Sequence, residues 1–251
     1  RSKRGSKNVG LEINSTVQFD KVYILPNYQN TYAGGNGIFG RELTLYQWQP
    51  GQPEAWKALD GKYYPEYTED ESWGPRMVGQ EYIPWYAWYG GHERAYKTAS
   101  LTPQPNNIKD FYNTGVTKIN NVNFSKASDN YNIRLSYTNL DIDGLNPNSW
   151  LKKNTFNFNS SVDLSNHFSI SANINYVNSK RNAENDDTYS NNSTGSFNQW
   201  FHRDIDVNIL KELRGLKTPT GIYASWNHDN PNHYDPNNEI AFYGAYYWMN
   251  P

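Results

Sequence analysis

The chain contains no cysteine. Disulfide scaffolds, thiolate metal sites and thiol redox chemistry are therefore excluded. It has no apolar run near the ~18 residues of a spanning helix, and its mean hydropathy is −0.92. A helical membrane protein is excluded, but a β-barrel is not, because its lumen and loops are polar. Charge of one sign is also missing. The formal net charge of −2 gives no electrostatic footprint for nucleic acid. No apolar leader opens the chain: Arg1-Ser-Lys-Arg-Gly-Ser-Lys7 is basic and runs into strand-like sequence, so the chain is expected to begin inside a larger precursor.

Aromatic residues are abundant at 16%, with 21 Tyr and 9 Trp. Such side chains suit membrane-interface girdles, sugar stacking and binding surfaces. They are joined by five stretches that alternate apolar and polar residues. The clearest runs from Phe168 to Tyr176, with Phe168, Ile170, Ala172, Ile174 and Tyr176 on one side and Ser169, Ser171, Asn173 and Asn175 on the other. Successive strand side chains point to opposite faces, so this pattern describes a strand between an apolar medium and water.

Strand one is predicted over 9–22, with Leu11, Ile13 and Val17 outward and Glu12 and Asn14 inward. Strand two is predicted over 116–125. Strand three (131–139) places Ile133 and Leu135 outward and Arg134 inward. Strand four (155–164) places Phe156 and Phe158 outward and Asn157 inward. Strand five places Ile170 and Ile174 outward, with Asn173 and Asn175 inward. The outward set is read as lipid-facing and the inward set as lining a lumen. Tight turns are expected at 127–130 and 164–167. A moderate loop spans 141–150, and long Gly/Pro/Trp/Tyr-rich segments occupy 23–115 and 179–251. Long loops at one end and short turns at the other are the mark of an up-and-down transmembrane barrel. Soluble sandwiches and lipocalin-like barrels also alternate, but with the apolar face inward.

Short helices are expected at 53–59, at 107–113 with Asn107 as N-cap, and at 205–213 with Asp204 as N-cap and Gly215 beyond the end. In the last, Ile205, Ile209 and Leu213 share a face.

Several motifs, in order, resemble the SusC/RagA family of TonB-linked outer-membrane transporters. They are Lys3-Arg-Gly-Ser-Lys7 before a strand, Phe19-Asp-Lys-Val-Tyr-Ile-Leu-Pro-Asn-Tyr-Gln-Asn30, Asp70-Glu-Ser-Trp-Gly-Pro-Arg76 and Asn107-Ile-Lys-Asp-Phe-Tyr-Asn-Thr-Gly115. Tyr131-Asn-Ile-Arg-Leu-Ser-Tyr-Thr-Asn-Leu140 with Pro147-Asn148, and Ser171-Ala-Asn-Ile-Asn-Tyr176, follow. Trp200-Phe-His-Arg203 matches more loosely. The resemblance implies an all-β fold: about five strands of a 22-stranded barrel, with residues 1–8 as the exit from a plug. The plug and TonB box fall outside the sequence. It further implies energised import of an oligosaccharide or peptide across the bacterial outer membrane. The implied partners are a SusD-like surface lipoprotein, TonB acting through the plug, outer-membrane lipid, and a second transporter–lipoprotein pair. No cofactor is implied.

Candidate contacts for a ligand or lid are Trp73, Arg76, Trp85, Trp88, Trp200, Arg203, Trp226 and Trp248. For Trp73 the structural reading is that Gly74-Pro75 sets a rigid turn while the indole fills a loop core. His228, Asp229, His233 and Asp235 match no strong metal-ligand spacing and are read as ordinary loop residues. The acidic pairs Asp70/Glu71 and Asp204/Asp206 would need a defined separation across a cleft to cleave a glycosidic bond. No nucleophile or phosphate-loop motif is present, so no catalytic residue is expected. The competing reading is a secreted, soluble glycan-binding or glycan-cleaving β-protein. A barrel kept for adhesion or protein export is a further alternative.

Overall fold

The computed structural model describes residues 9–38, 40–182 and 201–244. The chain is mostly β and divides into two compact units. Residues 9–23 and 112–182 form one, and residues 24–111 and 201–244 the other.

The first unit is a five-stranded antiparallel sheet. It is built from β1 (Gly10–Asp20) and, after four two-residue strands that belong to the other unit, β6 (Gly115–Ala127), β7 (Tyr131–Asp143), β8 (Trp150–Ser165) and β9 (Phe168–Asn182). The spatial order is β1-β6-β7-β8-β9, each strand paired with its neighbour in sequence within the sheet. The turns at 128–130 and 166–167 are tight and lie at one end. The connections after Asp20, Asp143 and Asn182 leave from the other end, where Asp20 pairs with Gly115 and Trp150 with Asn182. Among the described residues, β1 and β9 are paired on one side only.

Residues directly opposite in an antiparallel pair share a face, so the register fixes both faces. Leu11, Phe124, Leu135, Phe158 and Ile174 form one row across all five strands. Ile13, Val122, Tyr137, Phe156 and Tyr176 form the next. On the opposite face, Glu12, Asn123, Ser136, Asn157 and Asn175 form a row. The polar face is hydrogen-bonded to itself: Asn121 Nδ2 donates to Thr138 Oγ1 at 2.7 Å and Asn123 Nδ2 to Asn121 Oδ1 at 2.6 Å.

Several strands run past their expected ends. β7 continues to Asp143 and β9 to Asn182, and β8 begins at Trp150 rather than 155. The six-residue connection 144–149 replaces the expected ten-residue loop. The alternation misleads here because its phase flips. Beyond Asn139 and before Asn154, apolar residues (Leu140, Ile142, Leu151) lie on the face that is polar elsewhere, and charges (Asp141, Lys152) lie on the apolar face. A small register shift between Asp163 and Ser165 places Leu164 at a bulge before the 166–167 turn.

The second unit is built from the two segments read from sequence as long loops. They carry little regular structure. Two-residue ribbons pair β2 (Thr44–Leu45) with β3 (Tyr63–Tyr64) and β4 (Glu81–Tyr82) with β5 (Ala99–Ser100). Short 3-10 turns cover Glu54–Leu59, Trp85–Trp88 and Pro231–His233, and helices cover Asn107–Phe111, Val207–Leu213 and Glu239–Tyr243.

What holds this unit is an aromatic core. Trp56, Trp88, Trp226, Tyr46, Tyr67, Tyr89 and Phe242 are all essentially fully buried. Trp56 and Trp88 meet edge to face at 4.9 Å, as do Tyr46 and Trp88, a geometry favoured by the ring quadrupole. Their polar edges are satisfied. Trp56 Nε1 donates to the Trp88 carbonyl at 3.0 Å, Trp88 Nε1 to the Tyr67 hydroxyl at 3.2 Å, and that hydroxyl to the Ile83 carbonyl. Tyr89 donates to the Ser225 carbonyl at 3.1 Å and Gln52 Nε2 to the Pro231 carbonyl at 2.6 Å. These bonds stitch residues distant in sequence, so neither segment behaves as an isolated loop.

The helix expected at 205–213 begins at Val207 instead. Asp206 is its N-cap, accepting from Asn208 N at 2.8 Å, and Val207, Leu210 and Leu213 are its buried residues. Asp204, the expected cap, instead accepts from Gly34 N at 3.0 Å. A carboxylate caps whichever orphan amide it meets, and here tertiary packing brings Gly34 to it. Asn107 is the first residue of its helix rather than its cap.

Candidate functional site

Two of the sequence motifs, Asp70–Arg76 and the 201–203 part of Trp200–Arg203, are brought together inside the second unit. Residues 72–77 run alongside 31–35. Trp73 N donates to Gly35 O at 2.6 Å, Gly74 N to Ala33 O at 3.0 Å, Ala33 N to Pro75 O at 2.9 Å and Met77 N to Thr31 O at 2.9 Å. The approach is so close that a Cβ on Gly74 would stand 1.7 Å from Gly34 O. Only glycine fits there.

Arg203 is the anchor beneath this turn. It is buried and surrounded by neutral acceptors. Nε donates to Gln29 O at 3.1 Å, Nη1 to Asn107 Oδ1, and Nη2 to Asn30 Oδ1 at 3.0 Å and Pro105 O at 3.3 Å. The Tyr28 ring lies 4.9 Å from the guanidinium carbon, within cation–π range. Arg203 N also donates to Ser72 Oγ at 3.0 Å. Gln29 extends the same network, giving its side-chain amide to Ser72 O at 2.8 Å. Burial lowers the affinity of the guanidinium for its proton, but four of its five N–H donors are engaged and the residue stays charged.

His202 sits next to it, fully buried, its Nε2 facing the Glu69 carbonyl, and burial holds its pKa below the usual value. Burial, reinforced by the Glu71 charge, pushes the Asp70 carboxyl up to about 6.

On this scaffold Trp73 projects outward, 57% exposed, with Tyr32 beside it at 37% exposure and 6.1 Å between ring centroids. Arg76, exposed, pairs with Tyr32 through a backbone bridge. An exposed tryptophan–tyrosine pair flanked by a guanidinium and fixed on a rigid turn is a ready stacking surface. The expectation that Trp73 fills a loop core is therefore corrected. Gly74 and Pro75 are buried, and the indole is not.

The remaining contact candidates divide sharply. Trp85, Trp88 and Trp226 lie in the aromatic core, and Arg203 under the turn, so none presents a face to a ligand. Large aromatic side chains are buried here because these segments form a folded unit, which no local pattern disclosed. Trp200 and Trp248 lie outside the described residues. The expected lipid-facing residues Leu11, Ile13, Val17, Ile133, Leu135, Phe156, Phe158, Ile170 and Ile174 share one face of the sheet. Glu12, Asn14, Arg134, Asn157, Asn173 and Asn175 share the other.

The polar candidates read as loop residues have structural partners. His228 is buried with Nδ1 2.7 Å from Asp229 O and Nε2 3.2 Å from Trp85 O, and burial pushes its pKa down to about 4. His233 Nδ1 lies 2.9 Å from an Asp229 carboxylate oxygen. No cluster able to hold a metal ion occurs among the described residues. A surface depression of about 340 Å³ is lined by Tyr86, Glu93, Arg94, Lys97 and Thr98, and Arg94 there is already engaged by Glu212 at 2.6 Å. Sequence reasoning missed Tyr32 and gave no contact role to Gln29 and Asn30, although both close the 19–30 motif; their roles come only through contact with residues 72–76 and 203.

Compared with known proteins, the sequence matches no family model and no curated protein.

Proposed function

We propose that the chain is a section of the wall of an outer-membrane β-barrel, part of a TonB-dependent importer of the SusC/RagA type that takes up an oligosaccharide or peptide. One observation carries the reading. The sheet presents two apolar rows that cross all five strands on one face, broken in the next row by Lys126 and Ser160 beside Ile133 and Ala172, and backed by hydrogen-bonded Asn, Ser and Thr on the other face. On β9 the band runs from Phe168 to Tyr176, which is about 27 Å along the strand and about 21 Å along the membrane normal at a 40° tilt. That approaches the ~25 Å apolar belt of such barrels. A soluble protein would have to cover this face, yet Leu11, Ile13, Ile170, Ile174 and Tyr176 are all more than half exposed. The one-sided pairing of β1 and β9 fits strands that continue into further wall, since open edges are not tolerated in lipid.

In this reading the segments that build the aromatic second unit are extracellular loops of the barrel. The Tyr32–Trp73–Arg76 surface contacts the transported ligand, and a SusD-like lipoprotein closes over it. Catalysis has no part, and energy comes from TonB acting on a plug. The test is fractionation of cells making the native protein, probed with an antibody to this chain. A carbonate-resistant outer-membrane species of roughly 100 kDa is the expected result, the size that 22 strands and a plug require. A soluble species of 29.1 kDa would overturn the proposal in favour of the secreted β-protein.

A further inference from the structure

The apolar band ends at a defined level. Beyond the row Ile13, Val122, Tyr137, Phe156, Tyr176 comes the row Ser15, Asn120, Asn139, Asn154, Asn178, and beyond that Val17, Lys118, Asp141, Lys152, Lys180, all on the same face. The middle row is a cross-strand hydrogen-bonded seam. Ser15 Oγ donates to Asn120 Oδ1 at 2.8 Å, and Asn139 Nδ2 donates to Asn154 Oδ1 at 3.0 Å. The Tyr137 hydroxyl reaches out of the apolar band to the same Asn154 oxygen at 2.7 Å. A ring in the apolar layer with its hydroxyl at the polar edge is the posture of an interfacial tyrosine.

The opposite face changes sign at the same level, from Asn121 and Thr138 to Ile119 and Leu140. Both faces therefore change along the same row of the sheet, which at a 40° tilt shifts about 3 Å along the normal from one strand to the next.

The charged row sits four residues past the last apolar row. That is about 13 Å along the strand and about 10 Å along the normal at a 40° tilt. Lipid headgroups occupy roughly the first 5–8 Å outside the hydrocarbon, and lysine stems bend toward the layer their charge prefers. Lys118, Lys152 and Lys180 are exposed. None of the three is in an ion pair with another described residue. Asp141, between Lys118 and Lys152 in the row, is the single opposing charge.

We propose that Lys118, Lys152 and Lys180 bind the phosphate groups of anionic membrane lipids, in the leaflet at the end of the sheet where the long segments attach. This rests on the membrane-barrel reading above. Ammonium–phosphate hydrogen bonds are charge-assisted and suited to a compact point charge on a flexible stem. The three cations spread over about 14 Å along the row, which at a 40° strand tilt also climbs about 9 Å along the normal, so they are spaced for separate headgroups rather than for one small anion.

The experiment uses the full-length protein reconstituted in phosphatidylcholine vesicles. Spin-labelled phosphatidylglycerol and spin-labelled phosphatidylcholine compete for the protein surface, and the immobilised fraction of each is read by electron paramagnetic resonance. The wild type is expected to favour phosphatidylglycerol, on the order of fivefold per engaged lysine at low salt, with the preference reduced by salt. K118Q/K152Q/K180Q should bring the ratio close to one while the protein remains inserted. K118R/K152R/K180R should retain the preference, and the single K180Q should lower it in part if the triple variant does not fold.

An unchanged ratio in the Gln variants, or no preference in the wild type, would overturn the inference and leave the barrel reading standing. Displacement of the label by millimolar inorganic phosphate would also overturn it, in favour of a free-anion site. Failure of the wild type to enter vesicles at all would overturn the barrel reading, and the inference with it.

Discussion

Substituting arginine along the apolar face of β9 gives a depth profile that the register predicts residue by residue. Ala172 lies at the middle of the band that runs from Phe168 to Tyr176. Arginine at the midplane of a barrel costs about 2–4 kcal/mol, falling to about 0–1 near the interfaces. Ile174 is about 7 Å further along the strand, or about 5 Å off the midplane at a 40° tilt. Ile174→Arg should therefore cost about 2 kcal/mol, roughly a thirtyfold shift in the folding equilibrium. Asn178 stands about 16 Å from the midplane, at the edge of the hydrocarbon, so Asn178→Arg should cost less than about 1 kcal/mol. Asn173, one residue from Ile174 but on the polar face beside Asn159, should accept arginine at a cost near zero. The assay is denaturant titration of the full-length protein folding reversibly into vesicles, supported by the fraction that migrates as a folded barrel from membranes. Equal costs at Asn173 and Ile174, or equal costs at Ile174 and Asn178, would refute the assignment of that face to lipid.

Other expectations concern the second unit of the intact protein. Trp88→Ala removes a fully buried ring that contacts Trp56 and Tyr46 and should cost about 3–5 kcal/mol, read as loss of protease resistance in that unit. Trp73→Ala should change stability by less than about 0.5 kcal/mol yet lower ligand uptake, and unaltered uptake would exclude the exposed indole from binding. Gly74→Ala forces a methyl onto Gly34 O and should destabilise the turn by at least about 1–3 kcal/mol, seen as a lower unfolding temperature. His228 has its folded pKa pushed by burial to about 4, below its unfolded value near 6.5. The folded state thus binds fewer protons, so its stability contribution is complete above about pH 6.5 and is lost as pH falls toward 4, by up to about 3 kcal/mol. Hydrogen exchange of the Trp85–Trp88 segment should rise over that window, and an exchange rate independent of pH after intrinsic correction would contradict it.

The five strands of the sheet were legible because period-two alternation is a local property. Any strand lying between unlike media must show it, and Phe168–Tyr176 shows it without a break. Strand ends were less legible. The polarity of both faces inverts around Asn120, Asn139 and Asn154, and a reader following one phase stops there while the backbone ladder continues. The fates of the tryptophans were not legible at all. Trp73 and Trp88 look alike in sequence, each next to a polar or aromatic neighbour in a Gly/Pro-rich stretch. Trp88 is buried because residues 46, 56, 64 and 67 converge on it, and Trp73 is exposed because Gly34 and Gly74 press two backbones together and turn the indole out. Asp204 and Asp206 likewise differ only in which unpaired amide packing brings within reach. The sequence alone determined which residues share a sheet face and where apolar meets polar, because the strand period ties each side chain to its position along the chain. Tertiary structure alone decided that two segments 90 residues apart make one aromatic core and which of their side chains remain to meet a ligand, because burial there depends on long-range contacts that no local period records.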